Sequence, residues 1–196
     1  MSKMYCSGCG EDVETFKMLQ VHYKPPVEET CCVNCGMTID ASEEEKDMST
    51  GTILIAEDSP MLLEMLKDIV ESRKLAGNVI TCANGGKMIK AATEMAIAKE
   101  PFKLMLLDVS MPVLSGINAA IAFRSVENAF KISRAPIVFF TGHKCDDNFK
   151  KILQFCKPAY YVNKGAVSRP DQLADRITKV IHRVVEMKEK MEGRKT

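Results

Sequence analysis

The chain has 196 residues, with 27 basic and 26 acidic side chains and a formal charge of +1, which is the composition of a globular protein with one main core and a small additional unit. No apolar stretch approaches the roughly 20 residues that cross a bilayer, and the first residues contain no apolar segment typical of a secretion signal. We therefore expect a cytoplasmic protein without membrane insertion, in which the eight cysteines are thiols or metal ligands rather than disulfides.

The first segment contains two Cys-x-x-Cys motifs separated by 22 residues, one formed by Cys6 and Cys9 and the other by Cys32 and Cys35. Each motif lets two sulfurs from one tight turn reach a single metal, and a glycine follows each motif as that turn requires. Four thiolates complete a tetrahedral shell, so the pattern predicts structural Zn²⁺ and resembles a zinc ribbon. A pair of redox dithiols is the alternative, but the βαβ unit of thioredoxin-type motifs is missing. Cys31 is interpreted as a spare thiol, with replacement of Cys32 or oxidation sensing as alternatives.

The apolar residues between the two motifs are too few to hold this segment together without metal. They are Val13, Phe16, Met18, Leu19, Val21 and Tyr23. Residues 39–51 are acidic with almost nothing to bury, which predicts a linker, although a short solvated helix fits the same composition. We therefore predict a zinc-ribbon-like domain over residues 1–38, an acidic linker over residues 39–51 and a larger domain over residues 52–196. Residues 1–50 carry a formal charge of −6, which argues against a nucleic-acid partner.

From residue 52 onward, apolar strand patterns alternate with helical patterns in five βα repeats. Strands are predicted over residues 53–56, 79–82, 104–108, 137–141 and 160–164, each followed by a helix. Ser59 is expected to cap the first helix and Pro60 to begin it. Right-handed crossovers between such repeats give an α/β fold built on a doubly wound, five-stranded parallel sheet.

Chemically active side chains stand at the ends of four of these strands. Glu57 and Asp58 follow the first strand, Asp108 ends the third, Thr141 ends the fourth and Lys164 ends the fifth. Because the carboxyl ends of parallel strands meet at one edge of an open sheet, these groups should converge on one crevice. Three carboxylates, a hydroxyl and an ammonium in one crevice predict a cation and phosphoryl site. Each residue alone is a common cap, turn or solvated residue, so the prediction depends on the combination.

Over about residues 51–185 the chain resembles the receiver domain of bacterial two-component response regulators, as in the CheY-like proteins. The likeness consists of the Glu57-Asp58 pair, Asp108 followed by Met111-Pro112 and Gly116, Thr141, and Lys164 with Tyr161 three residues earlier. It implies a flavodoxin-like sheet with strand order 2-1-3-4-5. The chain departs from the family at Gly165, where a proline is usual.

The resemblance implies that Asp108 accepts a phosphoryl group from a histidine kinase or phosphotransfer protein, assisted by Thr141 and Lys164. It also implies bound Mg²⁺. The expected ligands are Glu57 through water, Asp58, Asp108 and the backbone carbonyl of Ser110. Such a domain catalyses at most its own phosphoryl transfer and dephosphorylation, so no classical enzyme is expected.

The same resemblance implies a switch that passes the signal to an unknown downstream protein. Thr141 would move toward the phosphoryl oxygen, and Tyr161 would turn inward into the space that it leaves. Tyr160 is the rival candidate, but adjacent strand residues face opposite ways and the spacing to Lys164 favours Tyr161. The zinc module would serve in docking or assembly.

Apolar residues of the C-terminal helix recur at heptad spacing from Leu173 to Met191. The stretch from Met187 to Met191 extends past the predicted domain, so it either pairs with a second copy in a homodimer or is a fraying, solvated end. Three other functions stay open. They are a scaffold that acts without phosphorylation, a hydrolase with an aspartate nucleophile, in which Ser110 replaces the usual second acid, and a nucleic-acid-binding zinc ribbon with a regulatory receiver.

Overall fold

The N-terminal segment forms a three-stranded antiparallel sheet in the structure, which is a computed structural model that describes residues 3–20, 26–39, 48–100, 102–165 and 170–192. Its strands are β1 (Lys3–Cys6), β2 (Glu11–Gln20) and β3 (Val27–Cys32), with β2 in the middle. Val13 is buried, whereas Phe16, Met18 and Leu19 are exposed, and Val21 and Tyr23 lie outside the described residues. We call residues 3–39 the cysteine module. Its small buried apolar surface agrees with the expectation that apolar packing alone does not hold it.

In its described residues, the larger domain is a five-stranded parallel sheet with five helices. The strands are β4 (Thr52–Ala56), β5 (Asn78–Cys82), β6 (Phe102–Asp108), β7 (Ile137–Thr141) and β8 (Ala159–Asn163). The helices are α1 (Pro60–Ser72), α2 (Gly85–Ala98), α3 (Gly116–Phe130), α4 (Asp147–Phe155) and α5 (Pro170–Glu192). The sheet order is β5-β4-β6-β7-β8, which is the predicted order 2-1-3-4-5. The predicted flavodoxin-like fold is therefore confirmed.

Side-chain caps determine where four of the helices begin. The side chains of Ser59, Asn84, Ser115 and Asp146 each accept a hydrogen bond from the backbone N–H three residues later. These bonds satisfy amide groups that the first helical turn leaves without a partner. Ser59 and Pro60 thus act as the sequence predicts, and each of these four helices follows the carboxyl end of a strand along the chain.

The core of the larger domain lies on both faces of the parallel sheet. Strands β4 and β7 are buried along their whole length, as expected for central strands covered by helices on both sides. The last strand ends at Asn163, so Lys164 lies just beyond the strand rather than within it. Strand β8 is an edge strand, and the cysteine module lies against this edge.

The segment that joins the two parts is only partly described, because residues 40–47 lie outside the described ranges. Met48, within the predicted linker, is buried, and its carbonyl accepts a hydrogen bond from the Lys103 ammonium. This end of the segment departs from the expectation of a linker with almost nothing to bury. None of the helices in the described part of the chain is long and apolar enough to cross a membrane.

Candidate functional site

Three carboxylates meet at the carboxyl ends of the neighbouring strands β4 and β6. Oxygens of Glu57, Asp58 and Asp108 lie within 4.8 Å of one another. Glu57 and Asp108 are only 1% and 4% exposed, whereas Asp58 faces solvent. Parallel pairing of Ala56 with Leu107 places the three acids side by side, as the strand-end argument predicts.

Lys164 lies across the two buried carboxylates. Its ammonium is 2.7 Å from Glu57 Oε2 and 2.8 Å from Asp108 Oδ1, and it lies 5.0 Å from the centre of the Phe140 ring. Its backbone N–H donates to the Thr141 carbonyl at 2.7 Å. The three carboxyl groups outnumber the single ammonium, so the cluster has an excess of acidic groups. Hard oxygen ligands with excess negative charge fit a divalent cation such as Mg²⁺.

Glu57 is a carboxyl group of this cluster with a shifted pKa. Burial raises the pKa of this carboxyl above its usual value, and the nearby Asp108 charge raises it further. The ammonium of Lys164 and the backbone N–H of Ser59 act in the opposite direction. A bound divalent cation would add to the effect of Lys164, because it also stabilises the ionised carboxylate.

The loop behind Asp108 requires a glycine at position 116. A Cβ atom there would overlap the carbonyl oxygen of Asp108, and the Gly116 N–H donates to the Val109 carbonyl at 3.0 Å. The first residue of α3 therefore sits directly against the proposed phosphoacceptor. Met111 is buried, while Ser110 is exposed in the loop beside the acids.

The two predicted switch residues occupy different positions in this arrangement. Thr141 is buried at the end of β7, where its hydroxyl accepts a hydrogen bond from the His143 backbone N–H at 3.2 Å. Tyr161 is buried too, and its hydroxyl donates to the His143 carbonyl at 2.6 Å. The Tyr161 ring packs edge to face against Phe149, and burial raises the pKa of its hydroxyl to about 12. Tyr160 points the other way, toward Met187, as alternation along the strand predicts.

Sequence reasoning missed Asn163, which connects these parts. Its amide nitrogen donates to the Tyr161 hydroxyl at 2.7 Å and lies 3.3 Å from the His143 carbonyl. Its side-chain oxygen accepts from the Gly165 N–H at 2.7 Å, so Asn163 also shapes the turn that carries Lys164. A polar residue at the buried end of a strand was the available signal, but its partners lie in loops that a strand pattern does not place.

The four cysteines of the two motifs form a second cluster, in the cysteine module. Their sulfurs lie within 4.8 Å of one another, with Cys6 Sγ 3.6 Å from Cys35 Sγ and Cys9 Sγ 3.7 Å from Cys32 Sγ. A tetrahedron with metal–sulfur bonds of about 2.3 Å has sulfur–sulfur edges of about 3.8 Å, so the spacing fits a four-thiolate zinc site. The neighbouring side chains of Cys35, Cys6 and Cys9 lower the pKa of the Cys32 thiol.

The local backbone explains why each motif presents both sulfurs. The N–H groups of Cys9 and Cys35 point at the sulfurs of Cys6 and Cys32, three residues earlier in each motif. The glycine that follows each motif has a positive φ, 75° at Gly10 and 77° at Gly36.

Cys31 lies outside this cluster of four sulfurs. Its thiol is buried and lies 3.9 Å from both the Thr38 hydroxyl and the Glu29 carbonyl. Of the two cysteines that the sequence left open as ligands, the structure brings Cys32 and not Cys31 to the other three. Burial raises the pKa of the Cys31 thiol, which disfavours the reactive thiolate.

Comparison with known proteins identifies the larger domain. The family model for the response regulator receiver domain matches residues 53–178. The sensor histidine kinase GacS of Pseudomonas protegens is 29% identical over 115 residues, which are 58% of this chain and 12% of that protein. Histidine kinase 5 of Arabidopsis thaliana is 36% identical over 87 residues, 44% of this chain and 9% of that protein. The chain thus spans about a tenth of the length of these relatives.

Solved structures give the same fold. The receiver domain of the histidine kinase CKI1 from Arabidopsis thaliana, complexed with Mg²⁺ and BeF₃⁻, superposes with a TM-score of 0.55 at 20% identity, covering 66% of this chain and 89% of that one. The chemotaxis protein CheY4 of Vibrio cholerae superposes with a TM-score of 0.52 at 21% identity, covering 67% and 98%. At such low identity the likeness shows the fold alone, but the family match covers well over half of the chain. The chain therefore belongs to the response regulator receiver domain family.

Proposed function

We propose that the chain is a response regulator in which Asp108 accepts a phosphoryl group from a histidine kinase or phosphotransfer protein. The observation that carries this proposal is the meeting of Lys164 with Glu57, Asp58 and Asp108 in one crevice. Receiver domains are signalling phosphoacceptor domains rather than classical enzymes, and this chain has the residues that such a role requires.

Each residue of the crevice has a physical role in the proposed transfer. One carboxylate oxygen of Asp108 attacks the phosphorus atom, the phosphorus–nitrogen bond to the donor histidine breaks, and the histidine leaves with the bonding electron pair. Lys164, already 2.8 Å from Asp108, and the Thr141 hydroxyl stabilise the equatorial oxygens. Mg²⁺ held by Glu57 through water, Asp58, Asp108 and the Ser110 carbonyl would supply further neutralisation of charge on those oxygens.

We propose Thr141 and Tyr161 as the switch. Two features support this: both side chains hydrogen bond to the same residue, His143, and Tyr161 lies three residues before Lys164. A shift of the Thr141 hydroxyl toward a phosphoryl oxygen would break its bond to the His143 N–H. The loop that holds the Tyr161 hydroxyl would then be free to rearrange.

We propose that the cysteine module binds Zn²⁺ through Cys6, Cys9, Cys32 and Cys35 and serves docking or assembly. The supporting observation is the sulfur spacing, which matches a tetrahedral site. The domain boundaries proposed with it are residues 1–38, 39–51 and 52–196. A cytoplasmic location, an unknown downstream protein and a homodimer through α5 complete the proposal, and nucleic acid is not proposed as a partner.

Beryllofluoride with Mg²⁺, a mimic of the phosphoryl group, tests the proposal. We expect it to bind the wild-type chain and to shift amide resonances near Asp108, Thr141 and Tyr161. The matched control is Asp108→Asn, which keeps the shape of the side chain but removes the carboxylate and should not respond. If the wild type does not bind the mimic, the chain is instead a receiver-fold scaffold that works without phosphorylation.

A further inference from the structure

The turn between Cys6 and Cys9 is seated directly on the edge of the receiver sheet. The Gly8 carbonyl accepts hydrogen bonds from the Asn163 N–H at 2.8 Å and from Arg176 Nη2 at 2.9 Å. The Ser7 carbonyl accepts from Arg176 Nε, also at 2.9 Å. Two residues of the metal-binding turn are thus held by the last residue of β8 and by one side chain of α5.

The turn is tightly packed against β8. A Cβ atom on Gly8 would come within 2.7 Å of the Tyr161 carbonyl oxygen, a distance that real Cβ atoms do not tolerate. Arg176 is nearly inaccessible, with 2% of its surface exposed. Its Nε and Nη2 atoms donate to the Ser7 and Gly8 carbonyls, while Nη1 is buried without a hydrogen-bond partner among the described residues. Because a buried guanidinium is costly without compensating partners, Arg176 favours the docked position of the turn.

An ion pair attaches the module to α5 at a second position. Arg183, two helical turns after Arg176 on α5, lies 3.7 Å from Glu29 in β3. Glu29 also accepts a hydrogen bond from the Thr38 hydroxyl at 3.1 Å. The module is therefore attached to α5 at two points and to β8 through the Asn163 N–H, so a displacement of β8 relative to α5 would strain the attachments to these two elements against each other.

The same few residues of β8 contact the module on one side and the acidic site on the other. Tyr161 and Asn163 meet Gly8 through their backbone, while the next residue, Lys164, holds Glu57 and Asp108. The Asn163 side chain links the Tyr161 hydroxyl to the Gly165 N–H, so hydrogen bonds connect the end of β8 with the turn that carries Lys164. A new anion on Asp108 would attract the Lys164 ammonium away from Glu57.

We propose that docking of the cysteine module on β8 and α5 and filling of the acidic site are linked through β8, so that a phosphoryl group on Asp108 weakens docking. The inference rests on the proposed phosphoacceptor function. We expect phosphorylation to weaken docking because the docked turn packs against β8 in the conformation in which Lys164 contacts Glu57. A small shift of the strand end away from that conformation would disrupt the packed interface. By reciprocity, docking of the module weakens binding at the acidic site by the same factor, so a variant that releases the module should bind more tightly there, by at most that factor.

The test uses the full-length, zinc-loaded chain and Mg²⁺ with beryllofluoride. Two variants weaken the contact by different means, Gly8→Ala by overlap and Arg176→Gln by loss of charge. We expect each to bind the mimic about tenfold more tightly than the wild type. In the wild type, amide hydrogen exchange over residues 3–20 should rise when the mimic binds.

Matched controls separate linkage from general damage. Gly86→Ala adds a methyl group that would lie 3.4 Å from Asn84 Oδ1, an ordinary van der Waals contact. Arg73→Gln removes an exposed ion pair between the residue that follows α1 and Asp175 of α5. Neither should change the affinity for the mimic. Equal affinity in all variants, with unchanged exchange over residues 3–20, would overturn the linkage and leave the phosphoacceptor function standing. No binding by the wild type would overturn both.

Discussion

Replacing Lys164 with methionine tests the electrostatic account of the acidic site. Methionine keeps an unbranched chain of similar length, so the main change is loss of the ammonium that lies between Glu57 and Asp108. Removing one member of a buried ion pair costs about 3 to 5 kcal/mol. The Lys164 side chain is 19% exposed, so solvent screens part of the interaction and we expect a loss near the lower end, about 3 kcal/mol at about pH 8 without Mg²⁺.

The loss in Lys164→Met should depend on pH in a defined direction. Burial and the Asp108 charge raise the pKa of Glu57, and without Lys164 that pKa rises further. A carboxyl with a raised pKa in the folded state stabilises the fold at low pH, and this contribution is lost as the pH rises through the folded pKa. The free energy of unfolding of the variant should therefore be closest to that of the wild type at about pH 5 and furthest from it at about pH 8.

Urea unfolding followed by circular dichroism at both pH values, with and without saturating Mg²⁺, measures these effects. Because the variant cluster carries one more uncompensated negative charge, Mg²⁺ should stabilise it more than it stabilises the wild type. A loss below about 1 kcal/mol at about pH 8, or a loss that grows as the pH falls, would refute the reasoning.

Three further predictions follow from single contacts. Gly116→Ala should destabilise the fold by about 1 to 3 kcal/mol in urea unfolding, because its methyl group overlaps the Asp108 carbonyl, and it should also weaken binding of the Mg²⁺–beryllofluoride mimic; a wild-type response would contradict this. Tyr161→Phe should cost about 1 to 2 kcal/mol in the same assay, because it leaves polar atoms of His143 and Asn163 without their hydroxyl partner; a stabilised variant would count against the contact. Cys9→Ser should abolish binding of one Zn²⁺ per chain in elemental analysis, whereas Cys31→Ser should retain it; the reverse result would reassign the ligand set.

The fold could be predicted because its signals are local. Each central strand is an apolar run, and each cap, such as Ser59 or Asp146, lies directly before its helix. Parallel strands with right-handed crossovers then leave few topologies open. The position of the acidic site follows from the same rule, because residues at the carboxyl ends of adjacent strands must come together.

The contacts of Arg176 could not be predicted in this way. Its position on α5 is that of any charged residue in an amphipathic helix, yet it is buried and donates to carbonyls of the cysteine module. Its partners are carbonyl groups of Ser7 and Gly8, nearly 170 positions earlier, and every residue has a carbonyl. Backbone acceptors leave no mark in the sequence, so docking of the module depends on tertiary structure alone.

Phosphorylation of Asp108 is the central claim, and mass spectrometry after incubation with acetyl phosphate and Mg²⁺ tests it most directly. The wild-type chain should gain the mass of one phosphoryl group, located by peptide mapping at Asp108, and Asp108→Asn should gain none. An unchanged wild-type mass, or an equal gain in Asp108→Asn, would contradict the account.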